Sequence, residues 1–171
     1  TASIEDEDTA GDLLARLAEK GVALVDEVLE QLASGTAAPV AQREDGITLA
    51  PVLTPADGEI RWSETAAAID RRIRGVTPAP GAHTTYEGAR LRLGPVTQVP
   101  EVTDLPAGML QVSKHEVLVG TGGCAVRLGQ VAPAGKKWMA ADAWARGAHP
   151  AAGAVLGSGG VGQLGVEGGA A

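Results

Sequence analysis

Apolar residues recur at helical spacing near the start of the chain. Thr9 and Asp12 form the pattern of a capping box, and Gly35 provides a stop, so we predict a helix within residues 1–35. Gly21 is a point at which this helix could divide. Intervals of three, four and seven put a set of apolar residues on one face: Leu13, Leu14, Leu17, Leu24, Val25, Val28 and Leu32. A stripe this wide predicts contact with a larger body.

A second amphipathic helix is predicted within residues 59–75. Ser63 is a suitable N-cap, and Ile69 and Ile73 lie four residues apart on the side that we expect to be buried. At about 100 degrees per residue, the outward side carries a cluster of arginines, Arg71, Arg72 and Arg74. Between the two helices, residues 36–58 contain three prolines and no sustained period, which predicts a linker.

Alternating apolar and polar residues predict short antiparallel strands at Ala82–Tyr86, Ala89–Val99, Met109–Ser113, Glu116–Gly120 and Ala125–Val131. Such strands, joined by tight turns, are typical of a small barrel or sandwich. Residues 133–147 predict a bend bearing Lys136 and Lys137, then a short helix that packs three side chains on the barrel, Trp138, Met139 and Trp144. Residues 157–171 are rich in glycine and predict a disordered tail. The fold class is therefore mainly β with flanking helices.

Composition limits the classes of protein that fit. The 171 residues are enough for one domain with attached pieces, and the core must be aliphatic because 2% of the residues are aromatic and none is Phe. Cys124 is the single cysteine, which excludes an internal disulfide. No run reaches the roughly 18 apolar residues of a membrane span, and acids stand where a signal peptide carries bases. We expect a cytoplasmic protein that makes no membrane contact.

The net charge of -7 hides an asymmetry between two parts of the chain. Residues 1–56 hold three basic and eleven acidic side chains, a net charge of -8. Residues 57–147 hold eleven basic and nine acidic side chains, a net charge of +2. Such an asymmetry indicates that an interacting surface lies on the second part.

The sequence contains no recognisable catalytic set. His83, His115 and His149 do not have the spacing of a metal site, and Cys124 has no base near it in sequence. The basic residues are therefore the candidates for function. Arginine and lysine on a strand, a helix and a loop can line a track for phosphates, and the four aromatic residues predict little base stacking. We expect any RNA contact to be directed to the backbone and sensitive to salt.

A succession of short stretches resembles the methionyl-tRNA formyltransferase family. In order these are Asp8–Leu13 with Arg16–Ala18, Leu49–Pro51, Glu59–Ser63, Ile73–Ala82 and Pro133–Met139. The resemblance covers about residues 1–157 and implies a division into the end of the catalytic domain (1–35), a linker (36–58), a C-terminal domain with an OB-like barrel (59–156) and the tail. The chain departs from the family at Arg61, where the family has Asp, and at Thr77–Pro80, where it has Asn-Pro-Trp-Pro.

Family members transfer a formyl group from 10-formyltetrahydrofolate to methionyl-tRNA, and their catalytic Asn, His and Asp lie in the upstream domain. The resemblance thus implies a fragment that is inactive alone, binds no cofactor itself and needs the missing N-terminal catalytic domain. It also implies that this part holds initiator tRNA through basic residues, which by position are Arg71, Arg72, Arg74, Lys136 and Lys137, with Arg90, Arg92 and Lys114 added. Two alternatives stay open: a related formyltransferase acting on a sugar nucleotide or another amine, and a non-enzymatic protein-interaction barrel.

Overall fold

The computed structural model describes residues 2–157. Its helices are α1 (Ala10–Ser34), α2 (Ala66–Gly75) and α3 (Ala141–Ala148). Its strands are β1 (His83–Tyr86), β2 (Ala89–Leu93), β3 (Val96–Val99), β4 (Leu110–Val112), β5 (Val117–Val119), β6 (Ala125–Leu128), β7 (Gln130–Pro133) and β8 (Met139–Ala140). The strands pair antiparallel in two four-stranded sheets with the orders β1-β2-β7-β8 and β3-β6-β5-β4. The mainly β class is confirmed, although the ladders of residues 2–157 form two sheets and not one closed barrel.

The two longest predicted strands are each divided by a bend. The pairing of β2 with β7 ends at Leu93 and Val131, and the pairing of β3 with β6 begins at Val96 and Leu128. Pro95, which lies between β2 and β3, has no N–H to donate to a ladder. One antiparallel ribbon therefore passes from the first sheet into the second, and its bend joins them.

Helix α2 covers the core that the two sheets enclose. Ile69 and Ile73 are fully buried, as the spacing predicted, and they pack with Leu91, Leu93 and further apolar residues of both sheets. The predicted N-cap was wrong by two residues. The hydroxyl of Thr65, not of Ser63, accepts the capping hydrogen bond, from the Ala68 N–H at 3.3 Å, because the helix begins at Ala66.

The segment after β7 corrects the predicted helix. Met139 belongs to β8, which pairs with β7, and α3 begins two residues later, at Ala141. Trp144 is buried on α3 and meets Tyr86 edge-on, with ring centroids 5.2 Å apart. Trp138 lies in the loop before β8 and is 45% exposed. The prediction that the short helix packs Trp138 on the barrel is therefore wrong, because Trp138 precedes both β8 and α3.

Helix α1 is continuous through Gly21 and begins at Ala10, directly after the predicted N-cap Thr9. Its capping box of Thr9 and Asp12 and its left-handed C-cap at Gly35 are both present, as predicted. No residue of α1 is buried. Its apolar stripe is exposed, with Leu14 at 69% and Leu32 at 61%. The larger body that the stripe predicts is not supplied by residues 2–157.

Regular structure is sparse between α1 and α2, where a 3-10 helix, Pro55–Gly58, follows an exposed stretch without helix or strand. At the other end, the Gly157 N–H donates to the Thr85 carbonyl at 2.9 Å. Gly157 is therefore held by β1, and the rest of the predicted disordered tail, residues 158–171, lies outside the described residues. Within residues 2–157, no helix combines the length and the apolar character that a membrane crossing requires.

Candidate nucleic-acid interface

The arginines of α2 are engaged by acidic partners. Arg72 donates to both carboxylate oxygens of Glu64, at 2.9 and 3.1 Å, and its side chain is 30% exposed. Arg74 donates to Asp70 at 3.2 Å and to the backbone carbonyl of Asp8 at 3.0 Å. The Arg74 side chain is 15% exposed. The predicted outward orientation is therefore wrong for Arg74, because the segment before α1 folds onto this side of α2.

The same segment gives Arg71 an acidic environment. Arg71 is exposed, but it lines a cavity of about 400 Å³ to which Glu5, Asp6 and Asp8 also contribute. A hydrogen bond from the Arg16 guanidinium lowers the pKa of Asp8 to about 2, so its carboxylate is charged at neutral pH. Negative charge beside Arg71 weakens its attraction for a phosphate.

The bases of β2 have a different environment. Arg90 and Arg92 alternate with Leu91 and Leu93, and since side chains alternate across a strand, the leucines enter the core while both arginines lie on the outer face. An Arg90 guanidinium nitrogen lies 3.0 Å from Nδ1 of His83 on the paired strand. Among residues 2–157, no carboxylate lies within ion-pairing distance of either arginine.

The loop between β7 and β8 brings a lysine to these arginines. The Ala134 N–H donates to the Arg90 carbonyl at 3.1 Å, which fixes the start of the loop against β2, and the Lys136 N–H closes a turn onto the Pro133 carbonyl at 2.9 Å. A cavity of about 420 Å³ results. Its lining, which we call the basic groove, contains three bases and no carboxylate: Pro80, Arg90, Arg92, Ala132, Ala134, Gly135 and Lys136.

Lys137 and Lys114, the other predicted site lysines, are both exposed. Lys137 follows Lys136 in the loop that borders the basic groove. Lys114 lies in the turn between β4 and β5, at the edge of the other sheet. The structure thus brings together Arg90, Arg92 and Lys136, with Lys137 next in the loop. Lys114 belongs to the other sheet and is not part of this group.

Trp138 was not predicted as a site residue. The Arg92 guanidinium carbon lies 5.0 Å from the centre of its ring, a cation–π contact. Together they border a second cavity of about 480 Å³, which we call the apolar groove: Thr77, Pro78, Pro80, Gly81, Ala82, Arg92, Leu93, Gly94, Pro95, Gly129, Gln130 and Trp138. The signal that could have found Trp138 is its place directly after two lysines, which mark a solvated loop.

The histidines do not assemble into a reactive centre. His83 lies on β1, His115 in the turn between β4 and β5, and His149 at the C-cap of α3. Among residues 2–157, no group of three or more His, Cys, Asp or Glu could hold a metal ion.

Two sheets joined by a bent ribbon, with a basic groove on the outer face of one of them, follow a long helix and a stretch of sparse regular structure. The family model described as "Formyl transferase, C-terminal domain" matches residues 52–149. The chain belongs to this family.

Curated relatives agree with this assignment. The chain is 49% identical to the methionyl-tRNA formyltransferase of Salinispora arenicola over 149 residues, which are 87% of this chain and 48% of the relative. It is 50% identical to that of Paenarthrobacter aurescens over 147 residues, 86% of this chain and 48% of the relative. The resemblance found in the sequence is therefore confirmed. The chain spans about half the length of these relatives.

Solved structures support the fold. HypX from Aquifex aeolicus, in a variant carrying four alanine substitutions, matches 84% of this chain and 27% of its own chain with a TM-score of 0.66 and 18% identity. Another HypX structure, in complex with tetrahydrofolic acid, covers 72% of this chain with a TM-score of 0.58 and 20% identity. At this identity the likeness concerns the fold alone.

Proposed function

We propose that this chain is the tRNA-holding part of a methionyl-tRNA formyltransferase that works in the cytoplasm. The observation that carries the proposal is the basic groove, in which Arg90, Arg92 and Lys136 converge without a carboxylate in the lining. Similarity of 44 to 50% identity to methionyl-tRNA formyltransferases supports initiator tRNA as the ligand of this groove.

Backbone phosphates are the groups that such a groove recognises. Arginine and lysine bind phosphate oxygens through charge-assisted hydrogen bonds, and each neutralised phosphate releases bound counterions. Lys137 extends the positive surface at the rim, and Arg71 and Lys114 are secondary candidates because they are exposed elsewhere. Arg72 and Arg74 take part less readily, since contact with tRNA would require them to leave Glu64 and Asp70.

In this proposal, the catalytic residues lie in a part of the protein that precedes this chain. There, 10-formyltetrahydrofolate would supply the formyl group for methionyl-tRNA. We expect the isolated chain to transfer no formyl group, and formylation of methionyl-tRNA by the purified 171 residues would contradict this division of roles.

A second candidate, a protein-interaction module, has one observation in its favour. Apart from Leu13, the residues of the α1 stripe are exposed, and an exposed stripe of this kind marks a protein contact. It predicts a stable protein complex with no RNA binding. The curated relatives named above are methionyl-tRNA formyltransferases, which favours tRNA over a sugar nucleotide as the substrate of the whole protein.

The test is a titration of fluorescently labelled initiator tRNA with the chain, measured by anisotropy from about 50 to about 400 mM salt, a range over which phosphate contacts weaken strongly. We expect the logarithm of the affinity to fall linearly with the logarithm of the salt concentration. The variant R90A/R92A/K136A should bind more weakly, and its slope should be shallower by roughly 2 to 3.

The matched control is K20A/R43A/R146A, which removes the same charge from exposed positions outside the groove. It should keep the slope of the unmodified chain. Absent or salt-independent binding by the unmodified chain would contradict the proposal, and so would equal losses in the groove variant and the control.

A further inference from the structure

We propose that Trp138 and the apolar groove form a stacking site for an unpaired nucleotide of RNA whose phosphates lie in the basic groove. This inference rests on the proposed function and deepens it, because it adds base contacts to a surface otherwise expected to contact the backbone. It also departs from the expectation, drawn from the scarcity of aromatic residues, that base stacking has little part in binding.

The exposure of Trp138 is the first observation. Trp62 and Trp144 are both 95% covered by the fold, and the Trp62 indole N–H donates to the Thr84 hydroxyl at 3.0 Å. Trp138 is 45% exposed and is the most exposed aromatic ring among the described residues. A large aromatic surface in water is unfavourable, so its place beside a groove indicates a ligand that covers it.

The chemistry of the ring's surroundings favours a base. Arg92 holds its guanidinium 5.0 Å from the indole centre, and flat guanidinium and aromatic groups are the surfaces on which nucleic-acid bases stack. Pro80, Leu93 and Pro95 supply apolar walls, while Gln130 offers an amide for a base edge. A cavity of about 480 Å³ falls within the range of small-ligand sites.

Continuity with the basic groove identifies the ligand as a polynucleotide. Pro80 and Arg92 line both cavities, so a base in the apolar groove has its own phosphate and that of its neighbour beside Arg90 and Lys136. A base inside a duplex cannot reach such a site because its faces are covered by its neighbours. The expected ligand is therefore a single-stranded segment, a loop or an end, held with tolerance for its sequence.

The experiment compares two probes with the whole chain: a single-stranded oligouridylate of about eight nucleotides and an abasic oligomer of equal length, which has the same phosphates and lacks the bases. The chain should bind the base-bearing probe at least about fivefold more tightly. W138L should abolish this preference and leave binding of the abasic probe, and its salt dependence, unchanged. W138F should retain part of the preference.

R90A/K136A is the complementary variant, since it should weaken both probes alike. Urea unfolding of W138L should remain cooperative, which shows that the variant folds although it loses the contact with Arg92. If the chain binds tRNA but prefers neither probe, or if W138L keeps the preference, the stacking site is overturned and the tRNA proposal stands. If the chain binds neither tRNA nor either probe, both fall.

Discussion

Helix α2 and strand β2 both carry clustered arginines, but the two clusters meet different surroundings. Along α2, Asp70 precedes Arg74 by one helical turn, so the acid and the base share a side and pair. Along β2, Arg90 and Arg92 have leucines as sequence neighbours, and their lateral neighbours come from other strands and a loop. Three arginines close together in sequence are thus less available than two arginines and a lysine brought together by the fold.

The largest expected effect compares the two clusters directly on tRNA. Each phosphate contact adds roughly 0.7 to 0.9 to the logarithm of the affinity at about 0.1 M salt, so R90A/R92A/K136A should lose roughly 100- to 500-fold. R71A/R72A/R74A removes the same charge and should lose less than about tenfold. Anisotropy titrations of both variants measure the ratio. A larger loss in the α2 variant would reverse the comparison.

The free energy of unfolding should depend more on the α2 arginines than on the β2 arginines. R74A leaves the carboxylate of Asp70 and the carbonyl of Asp8 without their donor at a mostly covered position, so the free energy of unfolding should fall by about 1 to 3 kcal/mol. R90A, on the exposed face of β2, should change it by less than about 0.5 kcal/mol. Urea unfolding followed by circular dichroism measures both. Equal losses would show that Arg90 also has a structural role.

The ion pair of Glu64 and Arg72 should contribute a smaller, measurable coupling free energy to stability. Both side chains are about three-quarters covered and are joined by three hydrogen bonds, so a double-mutant cycle should give a coupling of about 0.5 to 1 kcal/mol. Arg43 and Asp45 form the control pair, since their side chains are 85% and 72% exposed. Their coupling should be near zero. A larger coupling in the control than in the α2 pair would contradict this ranking.

The smallest effect concerns pH and the segment that covers α2. The Arg16 guanidinium holds the pKa of Asp8 at about 2, below its ordinary value of 3.8. A lowered carboxyl pKa stabilises the folded state above the ordinary pKa, and this stabilisation is lost as the pH falls from about 4 toward 2. Amide shifts of residues 5–16 should therefore move in that window. In D8N, which has no titrating group at this position, that part of the change should disappear.

Local signals in the sequence predicted local structure well. The capping box at Thr9, the buried pair Ile69 and Ile73, and the alternation of β2 depend on neighbours within a few residues, and all three are present. The predicted N-cap at Ser63 was wrong because two hydroxyl residues, Ser63 and Thr65, compete for the same role. The sequence therefore predicted that α2 exists but did not predict its first residue.

Features that depend on distant parts of the chain could not be predicted. The bend in the ribbon requires Pro95 and Gly129 to come opposite one another, which follows from pairing across the sheet. Arg74 is covered by a segment more than sixty residues away. The two lysines before Trp138 indicate a solvated loop, but that the ring lies beside Arg92 follows from the pairing of β8 with β7 and of β7 with β2. The sequence showed Arg90, Arg92 and Lys136 as candidates, but only the fold shows that they line one groove.

The bend of the ribbon determines which positions of the apolar groove tolerate substitution. The floor of the apolar groove is backbone: the Gly94 N–H donates to the Gln130 carbonyl at 2.8 Å, and a methyl group on Gly129 would come within 2.8 Å of the Pro95 carbonyl. A side chain added at the floor would therefore clash with the backbone of the neighbouring strand. A substitution at Trp138 or Lys136 changes only the side chain that lines the surface. Substitution of Trp138 or Lys136 therefore changes the chemistry of the surface and leaves the bend of the ribbon in place.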